Sequence, residues 1–309
     1  MLRAEAVRKQ FGDITALDGM SLTVEPGEIV GLIGHNGAGK STFVEIASGL
    51  ERADSGSVHI DGIDVERSPR RARAKLGIAP QELGLYPQAT AHDNLRLFAG
   101  LHGLRGRQVR DRIEQVATAM GLASVLHQRA GLLSGGQQRR LQTATALLHD
   151  PPVLLLDEPT VGADVEARRE LLAVVRDHAD RGAAVCYTTH YLAELEPLRA
   201  TIAVITRGRV IVRGSPEELL AGLSGKLRLG FAGGVPAAIT EALDSYLDEG
   251  PGAISITTAA PGEELARMLR RFPAASGSLT SVDVVAPTLD DLYDQLLRQT
   301  SEGGLSHVR

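Results

Sequence analysis

Apolar residues along this chain fall into two kinds of pattern. Short unbroken or nearly unbroken runs, SLTVE at 21–25, EIVGLIG at 28–34, SVHI at 57–60, VLLL at 153–156, AAVCYTT at 183–189 and TIAVIT at 201–206, predict strands. The last four are compact enough to be covered on both faces, which predicts a partly parallel central sheet. Between about 83 and 150 the strand pattern stops. There 91–101, 107–120 and 135–149 are amphipathic at helical spacing, and Pro151 and Pro152 end the last of them. Alternating strands and helices from 1 to about 214 therefore predict an α/β fold, a mixed central sheet with an inserted helical subdomain at about 84–150.

The texture changes after Gly214. SPEELLAGL reads as a capped helix, with Ser215 three residues before Glu218, and the domain boundary is expected near 221–226, with the first domain taken as 1–220. In the second segment, a small α+β domain over 221–309, the strand candidates LRLGF, AISIT and VDVVA alternate with helical patterns at about 236–248, 262–272 and 288–299. In the last of these, Thr288 and Asp291 make a capping-box start, and Leu289, Leu292, Tyr293, Leu296 and Leu297 share one face. The ending SEGGLSHVR is expected to fray.

Composition narrows the class of protein. Of 309 residues, 43% are hydrophobic and 23% charged, which excludes collagen-like, coiled-coil and wholly disordered chains. A net charge of -5 offers no electrostatic ground for a nucleic-acid partner, and none is expected. The single cysteine, Cys186, cannot form an internal disulfide, so the cytosol is favoured over an oxidising compartment. The first residues lack the basic-then-apolar order of a signal segment, and no run reaches the roughly 18 apolar residues of a spanning helix, so any membrane role is expected through a partner. Lysine is scarce, confined to Lys9, Lys40, Lys75 and Lys226. One of the four lies inside a glycine-rich loop.

That loop, GHNGAGKST at 34–42, follows an apolar strand and precedes the apolar helix FVEIASGL. Gly34, Gly37 and Gly39 let the backbone turn sharply and bring its N–H groups near phosphate oxygens, with a positive helix end behind them. Lys40 can neutralise β- and γ-phosphates, and the Ser41 hydroxyl can ligate magnesium. Taken alone, the loop leaves kinases, GTPases and many ATPases open. VLLLDEP at 153–159 adds a buried strand that ends in two carboxylates at the sheet edge where α/β proteins bind ligands. There Asp157 would hold magnesium, directly or through water, and Glu158 would orient or deprotonate the attacking water.

With LSGGQQRR at 133–140 the chain resembles the ATP-binding cassette (ABC) ATPases, whose ordered motifs it carries in full over about 1–220: Phe11, the GHNGAGKST loop, Gln81, LSGGQ, VLLLDEP, TVGAD and the TTH at 188–190. The resemblance implies an ABC-type P-loop ATPase fold using ATP and Mg2+. It assigns nucleotide contacts to Gly34, His35, Asn36, Gly37, Ala38, Gly39, Lys40, Ser41 and Thr42. Phe11 would stack on adenine, Gln81 would sense magnesium and water, and His190 would contact the γ-phosphate and position Glu158. Ser134, an expected N-cap, with Gly135, Gly136 and Gln137 offers a second positive helix end. The resemblance implies that this end completes the site of a second cassette in a head-to-tail dimer, homodimeric or paired, and it assigns Asp164 of TVGAD to the nucleotide contacts as well. His35 and Ala163 depart from the commoner residues of these motifs, but neither removes a chemically active group.

TLDDLYDQLL at 288–297 and THYLAELE at 189–196 are similar to segments of bacterial drug- and polysaccharide-export ATPases. This implies the ATPase of an exporter at the cytoplasmic face of the membrane, working through a separate integral membrane permease that would dock near 83–87. An importer ATPase and a soluble ABC protein acting on ribosomes or DNA are the alternatives. The helix-interleaved pattern at 227–299 argues against the regulatory β-barrel of the first, and a single cassette with no long coiled coil argues against the second. The transported molecule is not legible in these residues.

Overall fold

The computed structural model describes residues 1–241, 243, 246–273 and 277–302, apart from the side chains of 294 and 297–302. It divides into two compact units, Met1–Ser215 and Pro216–Arg309, a boundary slightly ahead of the one expected from the sequence, with the SPEELLAGL helix counted in the second unit.

The first unit begins with β1 (Leu2–Phe11), β2 (Ile14–Val24), β3 (Ile29–Ile33), α1 (Lys40–Ser48), β4 (Ser55–Ile60) and β5 (Ile63–Asp64). It continues with α2 (Pro69–Arg73), β6 (Leu76–Ala79), α3 (Ala91–Leu101), α4 (Arg107–Ala119), α5 (Gly135–Leu147) and β7 (Val153–Asp157). It closes with α6 (Val165–Asp180), β8 (Ala184–Thr189), β9 (Thr201–Thr206) and β10 (Arg209–Gly214). Two sheets result, a four-stranded one in the order β2-β1-β4-β5 and a six-stranded one in the order β10-β9-β3-β8-β7-β6.

In the six-stranded sheet every pairing except that of β9 with β10 is parallel. Helical crossovers therefore cover its faces, and β3, β7 and β8 are buried at every position. SVHI behaves differently from the expectation. It belongs to β4 of the antiparallel sheet and is buried only at alternate positions, because one face of that sheet meets the core and the other does not. β1 gave no apolar signal because its register shifts between Ala4 and Val7, where Ala6 takes a φ of 45°, and this bulge breaks the alternation. Leu2, Val7, Leu17, Phe43, Leu155 and Ala203 meet in one core beneath the two sheets.

The helices of the insertion start where side chains can hold their free N–H groups. Thr90 caps α3 by accepting from the Asp93 N–H at 3.0 Å. α5 opens with a complete capping box, Ser134 Oγ accepting from the Gln137 N–H and Gln137 Oε1 from the Ser134 N–H.

The second unit contains α7 (Pro216–Leu220), β11 (Gly225–Phe231), α8 (Ala237–Thr240), β12 (Leu247–Asp248), β13 (Ala253–Thr258), α9 (Pro261–Arg271), β14 (Leu279–Val285) and α10 (Leu289–Glu302). Its antiparallel sheet runs β12-β13-β11-β14 around Leu227, Leu229, Phe231, Ile254 and Met268. The expected helix at 236–248 is replaced by the short α8 and by β12, since Leu247 and Asp248 pair with Ser255 and Ile254. Residues 242, 244 and 245 of that stretch lie outside the described residues. α10 includes Ser301 and Glu302, the first two residues of the ending expected to fray. Residues 303–309 and the side chain of Leu297 lie outside the described residues.

Because Leu155 is fully buried in the middle of β7, Leu155→Ala is expected to destabilise the first unit by about 2–5 kcal/mol. Chemical denaturation of the variant beside the wild type measures this directly.

Candidate functional site

Four of the five parallel strands deliver a motif at the same end of the six-stranded sheet. β6 leads into Gln81, β3 into the 34–39 loop, β7 ends at Asp157 with Glu158 next, and β8 ends at Thr189 with His190 next. The edge is the common point of the four motifs.

The glycine-rich loop is shaped by close packing as well as by conformation. A Cβ at Gly34 would lie 2.5 Å from the Ile205 carbonyl oxygen, and one at Gly39, whose φ is +108°, would lie 2.5 Å from that of Ala16. Only glycine fits either place. Lys40 begins α1 and folds back over the loop, its Nζ donating to the Gly34 carbonyl at 2.6 Å and the His35 carbonyl at 3.2 Å. Burial pushes the Lys40 ammonium below its ordinary pKa, while the charges of Glu158 and Asp157 act in the opposite sense. Ser41 is exposed on the first turn of α1.

Asp157 and Glu158 are both buried. Glu158 has a φ of 48°, in the left-handed region that carboxylate residues seldom occupy. Its N–H donates to the Thr188 carbonyl at 3.2 Å and to Thr188 Oγ1 at 3.1 Å, while the Thr188 hydroxyl donates to Asp157 Oδ1. Thr188 thus holds both residues from the neighbouring strand. The Glu158 carboxylate receives Gln81 Nε2 at 3.3 Å on Oε2 and faces His190 Nδ1 at 3.3 Å on Oε1. Two residues far apart in the chain converge on the carboxylate of a third.

Around this cluster the remaining residues take separate places. Phe11, at the end of β1, is 44% exposed, and Lys9 Nζ stands 4.9 Å from its ring centre, anchored to Glu51 Oε1 at 2.7 Å and the Arg52 carbonyl at 2.8 Å. Asp164 caps α6, accepting from the Ala167 N–H at 2.8 Å. A Cβ on Gly136 would sit 3.6 Å from the Ala163 Cα, so the start of α5 lies against the 162–163 turn. Ser134 and Gln137 bond to each other across the capping box, and both remain accessible.

Sequence reasoning passed over three side chains in this region. Thr188 was read only as part of TTH. Glu194, 1% exposed, accepts from Thr160 Oγ1 at 2.5 Å, Tyr187 Oη at 2.9 Å and Thr189 Oγ1 at 2.8 Å, and pairs with Arg168 Nε at 3.2 Å. It ties the segment after Glu158 to the strand before His190. Arg139 on α5 donates to the Gln81 carbonyl; burial lowers its guanidinium pKa against the pull of the Glu158 and Asp157 charges. The available signal was a polar residue at an inward position of an apolar element.

Comparison with known proteins gives a consistent result. Residues 17–161 match the family model described as ABC transporter. The linearmycin resistance ATP-binding protein of Bacillus subtilis is 34% identical over 308 residues, covering 97% of this chain and 99% of that protein. The daunorubicin resistance ATP-binding protein DrrA3 of Streptomyces coeruleorubidus is 34% identical over 297 residues, covering 94% of each chain. Among solved structures, the dimeric post-hydrolysis state of the ATP-binding cassette MJ0796, bound to ADP and Pi, is similar with a TM-score of 0.64 and 27% identity. That likeness covers 70% of this chain and 98% of the other.

Thr188→Val removes the hydroxyl shared by Asp157 and the Glu158 N–H. The variant is expected to lose about 1–3 kcal/mol of stability and most of its ATPase turnover, which denaturation and a phosphate-release assay would measure together.

Proposed function

The chain belongs to the ABC transporter family as the ATP-binding and ATP-hydrolysing subunit of an exporter, and from that premise we propose how its own residues carry out the reaction and with which partners. The backbone N–H groups of residues 34–42 and the Lys40 ammonium hold the β- and γ-phosphates, and Phe11 stacks on the adenine. Ser41, Asp157 and Gln81 would hold magnesium. A hydroxyl, a carboxylate and an amide oxygen make an all-oxygen donor set suited to that hard cation, which would supply neutralisation of phosphate charge when bound.

Glu158 orients the attacking water on the γ-phosphate side and accepts its proton. His190 holds the Glu158 carboxylate from one side and Gln81 from the other, so the base is aimed before the water arrives. His190 also reaches the γ-phosphate. The observation that carries this reading is the convergence of Gln81 and His190 on the buried Glu158 at the sheet edge that bears Lys40.

Ser134, Gly135, Gly136 and Gln137 serve the nucleotide of a second cassette. The start of α5 is a helix N-terminus with accessible capping residues, and it lies beside the turn that leads to Asp164. A head-to-tail dimer of two such chains, or of this chain with a paired subunit, places that end against the other copy's γ-phosphate. Among the described residues no helix is long and apolar enough to cross a membrane. The proposed partner is a separate integral membrane permease, reached from its cytoplasmic face, in keeping with the ABC transporter family. Support for the export direction comes from relatives named for resistance to linearmycin and daunorubicin.

Glu158→Gln is expected to bind ATP as the wild type does and to lose roughly 10²–10⁴-fold in turnover. Equilibrium nucleotide binding and phosphate release separate the two effects, and turnover near the wild-type rate would overturn the assignment of the base. Activity of the chain alone should rise faster than linearly with its concentration, as a site completed by two copies requires. Strict proportionality at low concentration would exclude the shared site.

A further inference from the structure

The segment 80–90 joins β6 to α3 without helix or strand of its own, yet much of its backbone is bonded by side chains of the helical insertion. Gln142, 3% exposed on α5, donates from Nε2 to the Pro80 carbonyl at 2.6 Å and the Glu82 carbonyl at 2.8 Å. Its Oε1 accepts from the Gly84 N–H at 3.0 Å. Arg139, one turn earlier on the same helix face, takes the Gln81 carbonyl. Asn94 on α3, 1% exposed, holds Tyr86 in the same fashion, accepting from its N–H at 2.8 Å and donating to its carbonyl at 3.0 Å. Gly77 makes the clamp reachable, since a Cβ there would lie 2.3 Å from the Ala146 carbonyl oxygen and would push α5 away from β6.

We propose that Gln142, seconded by Arg139, is the residue that positions Gln81 for hydrolysis, an inference that rests on the reading of Gln81 as a magnesium ligand beside Glu158. The Gln81 side chain is exposed and reaches Glu158 only through a 3.3 Å contact. A side chain on a free loop would be spread over many backbone conformations, and ordering it would cost conformational entropy. Here the backbone oxygens of three successive residues and the N–H of a fourth are bound by one helix face, so the Gln81 Cα is set by α5. The same helix starts with the Ser134–Gln137 capping box, only five residues before Gln142 and on the order of 7.5 Å along the axis. One rigid element therefore carries both the group offered to a second cassette and the anchor of this cassette's own magnesium-site amide. A displacement of α5 draws Gln81 away from Glu158, and a seated α5 returns it.

A purely structural Gln142 would only keep buried backbone groups satisfied, and its loss would lower stability without a specific effect on magnesium use. The test is a double-mutant cycle on the full chain, with Gln142→Leu, Gln81→Ala and the combined variant. Its readouts are the Mg2+ concentration at half-maximal ATPase activity, the maximal rate, and ATP affinity measured without magnesium. For Gln142→Leu the Mg2+ midpoint is expected to rise several-fold and the rate to fall about tenfold, with magnesium-free ATP affinity unchanged. On the Gln81→Ala background the same substitution should add nothing. A full additional loss on that background overturns the positioning role and leaves the reading of Gln81 intact. A Gln81→Ala variant with the wild-type Mg2+ midpoint overturns that reading and this proposal together. Where circular dichroism shows that Gln142→Leu does not fold, Arg139→Gln takes its place in the cycle, and an unshifted midpoint in that folded variant overturns the proposal.

Discussion

Two carboxylates on consecutive residues repel each other, and at the end of a buried strand they do so where water screens them poorly. β7 and β8 hold such a pair at the end of the six-stranded sheet. Glu158 takes a left-handed backbone conformation, and Thr188, directly across from Asp157 in the parallel register, bonds to both residues at once. Without the parallel pairing the threonine would not face the pair. The buried apolar strands matter to function chiefly because they fix this register.

From that frame the other parts follow as attachments to a rigid edge. Gln81 and His190 reach Glu158 from β6 and β8, the strands on either side of β7. Glu194 then binds the backs of the same segments. Its single carboxylate holds Thr160 just past Glu158, Tyr187 and Thr189 just before His190, and Arg168 on the helix that Asp164 caps. Three hydrogen bonds and one ion pair to a single buried carboxylate tie the segments behind Glu158 and His190 into one body.

Much of this was legible in the sequence, for physical reasons that differ by element. VLLL, TIAVIT and the strand before the glycine-rich loop announce themselves because a strand covered on both faces needs apolar residues throughout. β1 was silent because a bulge at Ala6 and a buried Lys9 interrupt its alternation. SVHI suggested a buried strand, although its pairing places it in a sheet with one open face. The 236–248 stretch has helical spacing, but pairing with β13 takes its end into a strand. Phosphate-loop and carboxylate motifs could be read because their spacing is local in the chain. The bonds of Thr188, Glu194 and Gln142 could not, because each joins segments that only the folded sheet brings together.

Lys40 illustrates how charge and shape are carried by one atom. Its Nζ donates to the carbonyl oxygens of Gly34 and His35, and these two bonds hold the loop's curvature from within. The curve is thus self-supporting. Truncating this lysine would remove a cation and also release the arch built around it. Any loss seen in such a variant is a composite of missing attraction and lost preorganisation, and a neutral side chain able to donate to the same two carbonyls would be needed to tell one from the other.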